Sequence, residues 1–246
     1  MPSWEFPADG PVDLQVRVPS GDVIVSATAT QTATVTLDSH RPGRKGEEYV
    51  AATRVEFDGG SLSVLAPEGS AFGRHGSLTI AVELPEGSSG RIVTASADVR
   101  CTGELAALDV HTASGDVTAE RITGRARVDT ASGDVALGWA GEAAVAATSG
   151  DVRIGSAGGV SVQTASGDVQ VEAVTGHRAE VKSASGDIRV GVTPGIGVSL
   201  DLSSLSGTVN CELEPAEETG GADMTLYCRT LSGDVLVSRA APAAAR

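Results

Sequence analysis

The chain has 246 residues, of which seven are aromatic (Trp 2, Tyr 2, Phe 3) and 31 are glycine, so a core of stacked rings is excluded and the interior must be built from small aliphatic side chains. Eighteen basic residues against 32 acidic ones leave a net charge of −14, the wrong sign for wrapping phosphates, which makes nucleic acid and anionic membrane poor partners. A hydrophobic fraction of 41% with 20% charged residues is still apolar enough for a folded rather than a disordered chain.

The first residues, MPSWEFPADG, lack a basic n-region and a continuous apolar run, and no stretch approaches the ~20 apolar residues of a spanning helix. The expectation is a cytoplasmic protein in which Trp4 and Phe6 cap the N-terminal end. Leu14, Val16 and Val18, then Val23 and Val25, alternate on either side of SGD at Ser20. VEFDGGSLSV, from Val55 to Val64, reads as two strands around a DGG turn, and Leu78, Ile80, Val82 and Leu84 alternate into PEG. The stretches between them, Ser39 to Glu48 and Gly69 to Ser77, read as surface loops.

From here the tetrapeptide SGDV sets the pattern. It stands at Ser20, Ser114, Ser132, Ser149, Ser166 and Ser232, with SADV at Ser96, SGDI at Ser185 and SGTV at Ser206. From Ser96 the steps are 18, 18, 17, 17, 19, 21 and 26 residues, a solenoid period. Apolar residues precede each serine at alternate positions, as in Leu108, Val110 and Thr112 or Val160, Val162 and Thr164. They follow it in the same way, as in Val135 and Leu137 or Val152 and Ile154. Each run is a short strand with one inward face, and the SGD between them is a turn. Strands this short cannot bury their own face, so successive coils stack in parallel ~4.8 Å apart. A third apolar position at Ile122, Ala140, Ala157 and Val174 points to a flattened triangular section. The predicted fold is all-β: a single-domain parallel β-solenoid, right-handed and β-helix-like, with coils of about 17–19 residues. Residues 1–90 form an irregular β region continuous with it, 91–239 the regular repeats, and 240–246 a frayed tail. The acidic ELEPAEETGGAD, Glu212 to Asp223, is a loop ejected from one coil.

These SGDV-type repeats, the preceding V-x-T-A and the irregular N-terminal portion resemble the bacterial putative-adhesin family of β-strand-repeat proteins, a domain of unknown function. The resemblance spans nearly the whole chain and is strongest from Arg91 to Ser238. It implies a β-solenoid and an adhesin-like binding role.

Candidate chemistry is sparse. One carboxylate per coil forms a column, Asp98, Asp116, Asp134, Asp151, Asp168, Asp187 and Asp234, interrupted by Thr208. Adjacent charges at this spacing repel by ~1 kcal/mol even in water, so each needs either backbone N–H donors, as in Asx-turns, or a calcium ladder. The backbone reading is preferred, because one Asp per coil and the absence of GGxGxD speak against calcium. On the outward face of the first strand, Asp109 and His111 should lie beside Arg127 and Asp129, pairing Asp109 with Arg127 and His111 with Asp129. A His between carboxylates suits acid–base chemistry, but a solvated ladder of opposite charges is the simpler reading.

His40, His75 and His177 fall in loops or turns without metal-ligand spacing. Cys101, Cys211 and Cys228 are an odd number without CxxC, against a disulfide framework or structural zinc; all three take inward positions, where cysteine behaves as a small hydrophobe. Thr94, Thr112, Thr130, Thr164 and Thr230 have inward parity too, which does not support an outward ice-binding type of face. No GxSxG, HExxH, P-loop or GxGxxG in strand-to-helix context occurs. No catalytic residue, metal or cofactor is therefore assigned. The expectation is a non-enzymatic binding or scaffolding module. Its predicted surface is Ala136, Ala144, Ala146, Arg153, Ser161, Gln163, Gln170 and Arg189, and its partner is a protein or a second copy, held through a sheet face or a solenoid end. The alternatives are a carbohydrate-active β-helix enzyme using the outward Asp and His residues, or a calcium-binding Asp ladder.

Overall fold

The computed structural model describes residues 1–67, 76–213 and 223–241. His75, Phe72, most of the predicted loops at Gly69 to Ser77 and Glu212 to Asp223, and residues 242–246 of the predicted tail lie outside the described residues. Ala240, which opens that tail, is not frayed: it is buried and its amide donates to Val192 O.

The repeat folds as its parity dictates. The strands β7 (Ser89–Leu105), β8 (Ala107–Ser114), β9 (Val117–Ser132), β10 (Val135–Ser149), β11 (Val152–Ser166) and β12 (Val169–Ser185) follow one another around the coil. Coils stack in parallel register, Val135 beside Val152 and Val145 beside Val162, so each apolar position builds a column along the axis. Val110, Val128, Val145, Val162 and Val181 form one buried column, and Val117, Val135, Val152, Val169 and Ile188 another. The third row, Ile122, Ala140, Ala157 and Val174, is buried as well. Narrow columns of Val and Ala are what so thin an interior holds.

The SGD turn separates two ladders of one continuous, mostly parallel sheet, and although Ala97 holds its middle position at Ser96, from Gly115 onward the coil beneath leaves room for glycine alone. Gly150 has φ +118°, and a Cβ there would lie 2.2 Å from Gly133 O of the preceding coil. The closeness of successive backbones at the turn, more than the turn's shape, fixes the residue.

The N-terminal region forms a cap in which pairing turns antiparallel. β2 (Asp13–Thr28) is the first coil and pairs directly with β7. Between them the chain adds β3 (Thr32–Ser39), α1 (Arg44–Ala52), β4 (Arg54–Asp58), β5 (Ser61–Leu65) and β6 (Leu78–Pro85), preceded by β1 (Ser3–Pro7). β5 and β6 pair with β2 in parallel, while β4 on β5, β3 on β6 and β1 on β3 run antiparallel. Phe6 of β1 stacks on Phe57 of β4 with ring centroids 5.2 Å apart, joining the edges of the two ladders over the core. The Ser39 to Glu48 stretch is not all loop, because α1 begins at Arg44; Gly46, Tyr49 and Val50, at helical spacing, are its buried residues.

At the other end the coils are not stacked in chain order. After β13 (Ile188–Val192) come β14 (Val198–Ser206), β15 (Val209–Cys211), β16 (Met224–Ser232) and β17 (Val235–Arg239). β12 and β13 pair with β16 and β17, and only beyond these lie β14 and β15. The last segment of the chain is inserted as the penultimate coil. Cys211, expected inside, is therefore exposed at the end, whereas Cys101 and Cys228 are buried.

Candidate binding face

The ladder before the SGD turn carries two outward rows whose order follows from the register. One runs Arg91, Asp109, Arg127, Ala144, Ser161, Glu180, Tyr227. The other runs His111, Asp129, Ala146, Gln163, Lys182, Arg229. Small residues on β10 and β11 thus form a trough flanked by charged ridges on β8–β9 and on β12–β16. From β9 to β12 is three strand spacings, about 14 Å. At its foot the trough widens into a cavity of about 310 Å³ lined by Arg125, Ala144, Gly159, Ser161, Arg178 and Glu180, among others.

Each ridge is internally paired. On β12 and β16, Glu180 takes Lys182 and Arg178, the latter at 3.1 Å. Hydrogen bonds from Lys182 and then Arg178 hold its carboxyl below the usual range. Lys182 and Arg229 lie over the Tyr227 ring at 5.3 and 5.5 Å. On β8 and β9, His111 Nδ1 lies 3.1 Å from Asp129 Oδ2, the predicted pair. The pairing of Asp109 with Arg127 is not made: Arg127 turns along its own strand to Asp129 at 3.0 Å. Asp109 instead faces Arg91 at 3.9 Å and His111 Nε2 at 3.1 Å. The Asp109 Oδ1 approached by that nitrogen is buried and makes no aligned hydrogen bond. Both ring nitrogens of His111 therefore face carboxylates, and neither is presented to an incoming substrate, which is what a general base requires. A second cavity, of about 410 Å³, adjoins this ridge at Gln15, Arg91, Asp109, Arg125 and Arg127.

The eight residues predicted as one patch are divided by the SGD turn. Ala144, Ala146, Ser161 and Gln163 line the trough, whereas Ala136, Arg153, Gln170 and Arg189 form one row in the ladder after the turn. There Arg153 and Arg189 fold onto Asp151 and Asp187 at 3.0 and 3.1 Å. The ridge residues Arg178, Glu180, Lys182 and Tyr227 were missed by sequence reasoning. The repeat register places Glu180 and Lys182 beside Ser161 and Gln163; Tyr227 follows only once the inverted coil order is known.

The carboxylate column is a hydrogen-bond ladder. Oδ1 of Asp98, Asp116, Asp134, Asp151 and Asp168 each accepts the amide N–H of the next Asp at 2.9–3.0 Å. Asp187 serves Asp234 at 2.9 Å, and Asp234 serves Thr208 at 2.7 Å. Thr208 is thus the end of the column and does not interrupt it. Among the described residues no three His, Cys, Asp or Glu side chains converge as a metal ion would need. His40 bonds Thr79 and Asp22 at 2.7 and 3.2 Å, and His177 is exposed. Burial pushes the Cys101 and Cys228 thiols up to about 12. The five inward threonines are all buried. No helix among the described residues is long and apolar enough to cross a membrane.

Stacked parallel coils closed by an antiparallel cap define a repeat protein of the β-solenoid class. The model of the Toastrack DUF4097 family matches residues 14–242, and the chain belongs to that family, a putative-adhesin group and domain of unknown function. The fold is similar to that of a putative adhesin from Bacteroides fragilis, with TM-score 0.54, 13% identity and coverage of 96% of this chain and 95% of that one. It is equally similar to a putative lipid binding protein from Parabacteroides distasonis, with TM-score 0.54, 15% identity and 96% of each chain covered. No curated protein matches the chain.

Proposed function

We propose that this protein is a non-enzymatic binding module that holds an elongated segment of a protein partner in the trough between the two charged ridges. The observation that carries the reading is the run Arg127, Ala144, Ser161, Glu180 along one register row: small residues two coils wide between opposed charged walls. Ridge strands about 14 Å apart axis to axis leave about 10 Å between their side chains, room for an extended segment. Parallel strands hold the floor rigid, so docking there orders little of the module itself. Adhesin-like relatives support a binding role, and the engagement of both His111 nitrogens favours binding over acid–base catalysis on this face.

Filling the trough tests this. Ala144→Arg with Ser161→Arg should abolish capture of a specific protein from native lysate, while Gln170→Arg beyond the turn should leave capture intact. Capture that survives the first variant would remove the trough from consideration.

A further inference from the structure

Independently of the trough, we infer that the open end formed by β14 and β15 is a self-association surface, on which a second copy of this chain sits about a two-fold axis. The end exposes what every other coil hides. Val198, Leu200 and Leu202 stand in register with the buried Met224, Leu226 and Cys228, and Val209 and Cys211 with the buried Val235 and Val237. With no coil beyond them among the described residues, Leu200 is 38% exposed and Val209 41%. A second sign is independent of burial. The outward position just before the marker serine reads Ala113, Ala131, Thr148, Ala165 and Ala184, then Leu231 and Leu205 on the two outermost coils, where they are 52% and 83% exposed. Leucine replaces alanine only where the solenoid stops, so the apolar surface wraps from the open end onto its rim. Patches of this kind mark interfaces.

Three features select a second copy, seated end to like end. Asp201 is the single charged residue on β14 and β15, so the two strands that would meet bring one charge per copy. The opposite end is already closed by the Phe6–Phe57 stack, and its edge strands β1 and β4 carry Glu5, Pro7, Arg54, Glu56 and Asp58, which discourage strand addition. Head-to-tail growth is therefore blocked at its receiving end. Finally, Thr208 offers no carboxylate to the amide of a further parallel coil, whereas β14 offers an edge unpaired among the described residues that a two-fold copy meets antiparallel.

Sedimentation of the full chain across low to high micromolar concentration, with hydrogen exchange of the β14 amides at the same concentrations, tests the inference. The expected result is a dimer that dissociates on dilution, with the β14 amides that face away from β16 slow in the dimer and fast in the monomer. Leu205→Glu with Leu231→Glu, both on exposed side chains, should raise the dimer dissociation constant by at least about tenfold with an unchanged circular dichroism spectrum. Leu205→Ser with Leu231→Ser should do so more weakly, and Ser161→Arg in the trough should not. A chain monomeric at high micromolar concentration, a dimer indifferent to the leucine variants, open-ended oligomers, or protection in the monomer of the β14 amides that face away from β16 would each overturn it.

Discussion

The amide of Thr208 donates to Asp234 Oδ1 at 2.7 Å, although Asp234 lies 26 residues further along the chain. That bond belongs to the same series as Asp151 N–H to Asp134 Oδ1 at 2.9 Å, where the acceptor comes first in the chain. A carboxylate thus always serves the coil on its outer side, whatever the chain order. Carboxylates one coil apart tolerate each other because a backbone N–H is inserted between them, and Arg153 and Arg189 neutralise two of the free oxygens.

The ladder predicts graded effects. Asp134→Ala removes the acceptor of the Asp151 amide and should cost about 1 kcal/mol, since water reaches this exposed turn and replaces part of the bond. Asp134→Asn keeps an acceptor oxygen and should cost less. Thermal unfolding of both variants checks the order. Because each Oδ1 is already occupied, calcium or a chelator should leave the unfolding midpoint of the natural chain in place; a rise with calcium would restore the cation reading.

Two glycines with positive φ should respond very differently to alanine. Gly150→Ala places a Cβ 2.2 Å from Gly133 O, and the stacked coils cannot part locally, so a loss of about 3 kcal/mol or more is expected. Gly59, at φ +55° in the β4–β5 turn, has open space where a methyl group would sit, with nothing within 4 Å, and Gly59→Ala should cost only about 1 kcal/mol. Denaturant unfolding of the pair separates crowding between coils from backbone strain alone.

Val145→Phe tests the width of the interior. Val145 stands between Val128 and Val162 in a buried column with no slack along the axis. Overpacking should destabilise the chain by about 1–3 kcal/mol, read as a lower midpoint in urea; unchanged stability would contradict the register.

The thiols should divide by burial. Cys101 and Cys228, held up near 12, stay protonated and inaccessible at pH 8, whereas exposed Cys211 reacts. Mass spectrometry after iodoacetamide, at a dilution where the chain is monomeric, should find the native chain alkylated at Cys211 alone, and the denatured chain at all three.

Glu180 should make the ridge acid-sensitive. Its carboxyl is held down in the folded state by Lys182 and Arg178, so its contribution to stability is present above the unfolded carboxyl value, about 4.3, and is lost as pH falls through the lower folded value. The difference in melting temperature between the natural chain and Glu180→Gln should therefore shrink on acidification, and a difference that grew would reverse the sign assigned here.

The coils from Ser96 to Ser185 were legible in the sequence because a parity error of one residue would turn Val128 or Val162 outward, leaving a single consistent register. The outward neighbours follow from it, which is why His111 and Asp129 were paired correctly. The direction of Arg127 was not, since a long side chain reaches Asp109 across the ladder or Asp129 along it with equal ease. The two halves of the predicted surface were merged because strand parity says inward or outward but not which side of the turn. The helix α1 was hidden by its short glycine-rich, charged start, although Gly46, Tyr49 and Val50 carry its period. SGTV at Ser206 reads like any other repeat with its carboxylate interrupted at Thr208; that it is the outermost coil follows only from the inverted strand order.

The inserted coil also sets a timetable for synthesis. Coils from Ser96 to Ser185 can each dock on a neighbour already made, so that part of the chain can fold as it emerges. β14 and β15 cannot, because their hydrogen-bonding partners β16 and β17 are translated after them. Residues 198–211 must wait, rich in leucine and valine, until β16 and β17 slip between them and the finished stack. A chain cut after Leu213 would hold a solenoid complete to β13 with one apolar segment lacking its native partners, a state open to aggregation.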